Sequence, residues 1–183
     1  MALKKWTKLS QKTVFENSHW KYNLDTFSIE GVGIGEYHYV HTLGSTMVIP
    51  ITSENKIILV EQFRYLNNKT GLEFPCGAVE ANLSTIENAQ KELREETGFS
   101  SGKLIQAGAF SPYTGASDEI CTVFIATDLT RSPLPMDKTE EFEVKEFSFE
   151  QVNKVMKNNV IWDGLSLSAW IIASNYVSKL LDK

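Results

Sequence analysis

The sequence predicts a layered domain of mixed α/β or α+β class, and three observations carry that expectation. A long opening run of aromatic and β-branched segments, broken by turn residues, reads as strands. One helix with clear start and stop signals follows them. More strands come after it and two helices close the chain, an order that buries each apolar face when sheets and helices stack in layers. At 183 residues the chain is long enough for one well-buried core, so residues 1–183 are expected to form one domain with a small appended sheet.

Residues 13–16, 20–27 and 35–42 are the first strands, with Gly31-Val32-Gly33 as a turn between the last two. Residues 47–51 and 57–65 are two more, and Ser53-Glu54-Asn55-Lys56 suits a hairpin turn between them. Asn67-Asn68-Lys69-Thr70-Gly71 marks a loop before the short apolar segment 72–74. Ser84 with Glu87 three positions on forms a capping box, and Gly98 stands where a left-handed residue ends a helix. Within that helix Ile86, Ala89 and Leu93 recur at helical spacing, a stripe expected to face the core. Strands are expected again at 103–110, 120–126 and 141–147, then helices at 149–156 and 165–181.

Composition excludes several classes. The hydrophobic share of 42% and charged share of 22% are those of an ordinary globular protein, without low-complexity tracts. A net charge of -5 argues against a dedicated nucleic-acid polymer binder, which needs a clustered basic surface. If the substrate is an anion, something other than bulk charge must hold it, and a divalent cation is the obvious candidate. The two cysteines, Cys76 and Cys121, match no zinc or disulfide spacing, which suggests a reducing cytoplasm. The chain start lacks the apolar stretch of a signal peptide. The late apolar stretch 165–181 carries Ser166, Ser168, Ser174, Asn175 and Lys179, so it reads as a helix packed on a core and not as a membrane span.

On the central helix Glu92, Glu95 and Glu96 fall at i, i+3 and i+4 and project in neighbouring directions, displaced from the apolar stripe. Like charges at that spacing repel by about 0.2–0.5 kcal/mol per pair. Taken alone, the helix reads first as a solvated acidic face with Lys91 and Arg94 as counter-charges. The other reading is a site for a hard cation, Mg²⁺ or Mn²⁺, which takes oxygen ligands and completes its shell with water and phosphate.

The surrounding residues favour the second reading. From Gly77 to Phe99 the chain resembles the Nudix box: Gly77, Glu92, Leu93, Glu95, Glu96, Gly98 and Phe99 stand at the signature's spacing. Leu83 replaces its early Glu, and Lys91 replaces its Arg, whose forked contact a lysine cannot copy. The resemblance implies an α+β fold of the Nudix α/β/α sandwich type. A mixed central sheet would be formed by residues 43–183, and extra N-terminal antiparallel strands from residues 1–42 would build a homodimer interface.

Val60-Glu61-Gln62-Phe63-Arg64-Tyr65 and Leu72-Glu73-Phe74-Pro75-Cys76-Gly77 look like the segments that precede the box in ADP-ribose pyrophosphatases. Ser111-Pro112-Tyr113-Thr114-Gly115-Ala116-Ser117-Asp118-Glu119 resembles the loop that brings those enzymes one more acid, with Thr114 where many relatives have proline. By that resemblance Glu92, Glu95, Glu96, Glu119 and the Cys76 carbonyl hold the metal. Glu119 and Glu95 serve catalysis, with Glu119 as general base, and Arg64, Glu73 and Gly115 contact the substrate.

Alternatives stand beside several of these roles. Asp118 competes with Glu119, Arg64 could be an exposed strand residue, and Glu73 could be a structural ion-pair partner. His19, His38 and His41 read as ordinary strand residues. Trp20 and Tyr22 read as core or interface packing, with stacking on a nucleobase as the other role. The implied activity is Mg²⁺-dependent hydrolysis of a nucleoside diphosphate sugar, first ADP-ribose to AMP and ribose 5-phosphate. The alternatives are another such compound, GDP-mannose for instance, and a non-catalytic nucleotide sensor.

Overall fold

A computed structural model of the chain describes residues 3–181. In the order read from the sequence, but with two short strands ahead of the first helix that the reading did not contain, ten strands and three α-helices follow one another among the described residues. They are β1 (Trp6–Glu16), β2 (Lys21–Ile29), β3 (Gly33–His41), β4 (Ser45–Pro50), β5 (Ile57–Arg64), β6 (Lys69–Glu73), β7 (Cys76–Ala78), α1 (Thr85–Thr97), β8 (Phe99–Phe110), β9 (Cys121–Arg131), β10 (Glu143–Phe147), α2 (Phe149–Lys157) and α3 (Gly164–Leu181).

The strands form three sheets, ordered β1-β2-β3, β10-β5-β6 and β7-β4-β9-β8. The last is mixed: β4 and β9 run parallel, and the other pairs are antiparallel. This is the α+β class with the mixed central sheet and separate N-terminal antiparallel strands that the sequence implied.

Both faces of the mixed sheet are covered, which is why β4 and the start of β9 read as continuous apolar runs and not as alternating ones. Val48, Phe124 and Ala126 point to α1, where they meet Ala89 and Leu93. Met47, Ile49, Val123 and Ile125 point the other way, into a larger core with Ile57 and Leu59 of β5 and Ala169, Trp170, Ala173 and Val177 of α3. Among the described residues no helix is long and apolar enough to cross a membrane.

The structure corrects several local expectations. Ile86 does not join the core stripe: it is 47% exposed, because it lies in the first turn of α1, and Asn88, Glu96 and Thr97 complete the buried face with Ala89 and Leu93. The loop expected at 67–71 shrinks to a 3₁₀ turn at Tyr65–Asn67 closed by left-handed Asn68, and β6 begins at Lys69. The first strand begins seven residues before the expected 13, at Trp6. His19 lies in the turn between β1 and β2 and not in a strand.

Both ends of α1 match their signals. The Ser84 side chain accepts from the Glu87 N–H, Glu87 reaches back to the Ser84 N–H at 2.9 Å, and Gly98 is left-handed with φ 76°. Ser84→Ala should therefore lower unfolding free energy by about 1 kcal/mol. Urea denaturation of the variant checks this, with an unchanged m-value showing that the folded state is the same.

Candidate active site

The acid-bearing turn of α1 stands over β7. Glu92, Glu95 and Glu96 share it, and Gly77 of β7 lies directly beneath Glu92: a Cβ on Gly77 would sit 2.1 Å from the Glu92 carboxyl carbon. Only a residue without a side chain lets strand and carboxylate approach so closely. Glu96 is 5% exposed and accepts from the Cys76 N–H at 3.3 Å.

Burial pushes the Glu92 carboxyl up to about 7 against an opposing pull from Lys91, and Glu95, Glu140 and Glu80 push it the same way as burial. Glu96 is pushed well above the usual carboxylate range, first by burial and then by Glu92. Lys91 lies 3.3 Å from Glu80 and 3.7 Å from Glu92, and it is hydrogen-bonded to Glu95. One ammonium thus serves three carboxylates.

Other contacts fix this turn in place. Asn88, fully buried, donates to Thr46 Oγ1 at 2.9 Å and accepts from the Glu80 N–H at 3.2 Å, which anchors the loop before the helix. Arg94 Nε donates to the Ser132 carbonyl at 2.9 Å and holds the chain that leaves β9.

Beside the acids opens a cavity of about 640 Å³, lined by Trp20, Ser45, Arg64, Cys76, Gly77, Glu80, Asn82 and Glu119 among others. Glu92, Glu95 and Glu96 do not line it; Gly77 is common to the cavity and the acid turn. Arg64 makes a forked contact with Glu73, whose carboxylate is buried under it. Glu73 therefore faces Arg64, a contact that serves orientation of the arginine as well as a structural ion pair. Glu119 accepts from Ser45 Oγ at 2.7 Å. Asp118, next to it, turns away and bonds His41 at 2.7 Å. Gly115 lies outside the cavity, with its carbonyl accepting from Tyr37 at 3.2 Å. Contact with the Cys121 thiol and burial push the Cys76 thiol up, so it stays protonated.

The sequence reading passed over Glu140. Its carboxyl is raised first by burial, then by Asp137 and Glu95, while Lys91 and Arg64 pull it down. The connection between β9 and β10 therefore brings a further acid toward the acid turn and Arg64. The available signal was the Glu140-Glu141 pair ahead of β10.

The donor set, carboxylates plus a main-chain carbonyl, suits a hard divalent ion. Among the described residues, however, no three His, Cys, Asp or Glu side chains stand close enough to hold one as they lie. Glu95 is engaged by Lys91 and Glu119 by Ser45. Both are side-chain contacts that such an ion would displace, and by their oxygen chemistry the residues fit it.

An α/β/α sandwich that presents an acidic helix turn over a glycine, beside a cavity holding an arginine, has the architecture of a Nudix hydrolase. The chain belongs to the NUDIX domain family, whose model matches residues 42–168. It is 35% identical over 122 residues to an ADP-ribose pyrophosphatase of Bacillus subtilis, a match spanning 66% of each chain. It is 27% identical over 171 residues to a methanol dehydrogenase activator of Bacillus methanolicus, over 92% of this chain and 90% of that one. A crystal structure of an ADP compounds hydrolase has the same fold, with a TM-score of 0.85 over 98% of both chains at 19% identity. Nudix hydrolases generally use divalent metal ions.

The raised Glu92 and Glu96 set a pH dependence. In the metal-free protein the Glu92 proton is held up to about 7 against an ordinary 4.5. The stabilisation this gives is full below about 4.5 and is lost as pH rises through about 7, on the order of 3 kcal/mol. The melting temperature of chelator-treated protein should fall over that window. If these acids are its ligands, added Mg²⁺ takes their deprotonated forms and should raise it more at pH 8 than at pH 5. An equal rise at both pH values would contradict the assignment of these acids as its ligands.

Arg64 and Glu73 give a separate prediction. Arg64→Met leaves a buried carboxylate without its partner and should cost about 2–3 kcal/mol, discounted for the partial exposure of the arginine. Arg64→Met with Glu73→Leu should recover much of that loss in the same denaturation assay.

Proposed function

We propose that the chain hydrolyses the pyrophosphate bond of a nucleoside diphosphate sugar, in the first instance ADP-ribose, in a reaction dependent on Mg²⁺ or Mn²⁺. The observation that carries this reading is the meeting of the acid turn, through Gly77, with a cavity that contains both Arg64 and Glu119. The similarity to ADP-ribose pyrophosphatase of Bacillus subtilis supports the substrate class.

Glu92, Glu95, Glu96, Glu119 and the Cys76 carbonyl would hold the ions. Bound there, divalent ions supply Lewis acidity toward the phosphoryl oxygens and lower the pKa of water. Arg64, braced by Glu73, presents its free guanidinium edge to a pyrophosphate oxygen. Water attacks one phosphorus, the bridging P–O bond breaks, and the bridging oxygen leaves with the second phosphate. For ADP-ribose the products are AMP and ribose 5-phosphate. Glu119 accepts the proton of the attacking water, with Glu140 as the second acid in reach of the site's charges.

The N-terminal sheet has a part in this reading as a dimer interface. All of β1 is exposed, with Trp6 and Phe15 each at 55%. Large exposed aromatics on an edge strand fit burial against a second copy.

The extent of the match to the methanol dehydrogenase activator, which takes in the N-terminal strands, favours a second reading: the chain acts on a partner dehydrogenase. A product panel of ADP-ribose, GDP-mannose and NADH, with and without Mg²⁺ and with and without a methanol dehydrogenase, separates the two. Glu96→Gln should cut turnover of the preferred compound by at least about a hundredfold with the fold retained by circular dichroism. Near-normal turnover would reject the site. Comparing Glu119→Gln with Glu140→Gln assigns the proton acceptor.

A further inference from the structure

We infer that Asp118 is a positioning residue that sets where Glu119 stands, by tying the loop that ends in Glu119 to the N-terminal sheet. The inference rests on the proposed role of Glu119 in hydrolysis. Both oxygens of Asp118 are engaged from β3 and its end: Oδ2 accepts from His41 Nδ1 at 2.7 Å, and Oδ1 accepts from the Thr42 N–H at 3.3 Å. The backbone is clipped as well. Val40 N–H donates to the Ala116 carbonyl at 2.8 Å and the Asp118 N–H to the Val40 carbonyl at 3.2 Å, a parallel bridge between Val40 and Ser117.

The loop needs this support. It carries Thr114 and Gly115 at its tip, and the space around Gly115 is open. Inside the loop the backbone bonds are the two that Tyr113 accepts from Ala116 and Ser117. On the far side of Glu119 the chain is pinned to β4, where the Ser45 N–H donates to the Ile120 carbonyl at 3.1 Å. Gly44, at φ 97°, approaches that same carbonyl too closely for any side chain. Glu119 is thus suspended between two anchors, β3 before it and β4 after it, with its carboxylate on Ser45. Without the Asp118 carboxylate the first anchor keeps its backbone bonds and the Tyr37–Gly115 contact but loses its hold beside Glu119, and displacements of about 1 Å at a reacting group cost up to a hundredfold in rate.

The His41–Asp118 pair is itself half exposed, and pairs of that kind add little to stability. This separates a positioning role from a structural one. Asp118→Ala should lower kcat for ADP-ribose about tenfold or more and leave KM within about twofold. Its melting temperature should stay within about 2 °C of wild type. Titration of Mn²⁺ alone, followed by electron paramagnetic resonance, should show weakened binding, because Glu119 is no longer presented.

Asp118→Asn keeps an oxygen acceptor for the Thr42 N–H and offers its amide N–H to His41 Nδ1, which accepts in the other tautomer, and should restore most of the turnover. His41→Ala with Asp118→Ala should be no worse than Asp118→Ala alone. Wild-type kcat and Mn²⁺ affinity in Asp118→Ala, beside an inactive Glu119→Gln, would overturn the inference and leave the hydrolytic reading intact. Wild-type turnover in Glu119→Gln would overturn the role of Glu119 and the inference with it, whereas absence of metal-dependent hydrolysis in the unaltered protein would overturn the hydrolytic reading itself.

Discussion

Glu92 and Glu96, one helical turn apart on α1, are carried into contact with β7 where water cannot solvate them fully. Two acids in that position destabilise the ionised forms of both, and within the helix Lys91 offsets this only in part at Glu92. The surrounding structure accommodates the constraint in two ways. Gly77 gives the carboxylate of Glu92 room that any other residue would fill, and the Cys76 N–H gives Glu96 a donor. Helix α1 is in turn held rigidly: capped at Ser84, closed at Gly98, and packed through Ala89 and Leu93 on the mixed sheet.

Strand β4 relates these acids to the rest of the site. Its first three residues each hold a different part. Ser45 donates to Glu119, Thr46 accepts from Asn88 of α1, and Met47 pairs with Cys76 of β7. Because successive side chains of a strand point to opposite faces, Ser45 reaches the cavity side while Thr46 reaches the helix side. The acid turn and Glu119, more than twenty residues beyond it in sequence, therefore share one rigid reference. A similar economy joins Arg64 to the larger core: Glu73 pairs with Arg64, and the next residue, Phe74, donates its N–H to Ser166 Oγ of α3 at 3.0 Å.

Much of this was legible in the sequence where the signal was local. The capping box at Ser84, the stop at Gly98 and the spacing of the three glutamates are all contained within α1 and its ends, and the sheet followed from apolar runs whose meaning does not depend on distant residues. What the sequence did not reveal is what distant pairing decides. Ile86 has the spacing of a core residue, yet in the first turn of α1 it stays 47% exposed. Lys69 looks like part of a loop until it pairs with Arg64 across a hairpin. His41 has no partner nearby in sequence and meets Asp118 across 77 positions. Glu140 sits in an unpatterned polar connection, and only the fold brings its charge to bear on Glu95.

The lysine at position 91 bears on how the acids can bind a cation at all. An arginine there would fix neighbouring carboxylates through a planar fork, whereas the ammonium of Lys91 is a point charge on a flexible stem. It is divided among Glu80, Glu92 and Glu95, and Glu92 stays raised to about 7 in its presence. One positive charge among three carboxylates, with Glu96 behind them, leaves the turn with a net negative charge. That residue of charge is what the proposed divalent ion would neutralise. Lys91 thus touches three acids of the cluster without fixing any of them as an arginine fork would.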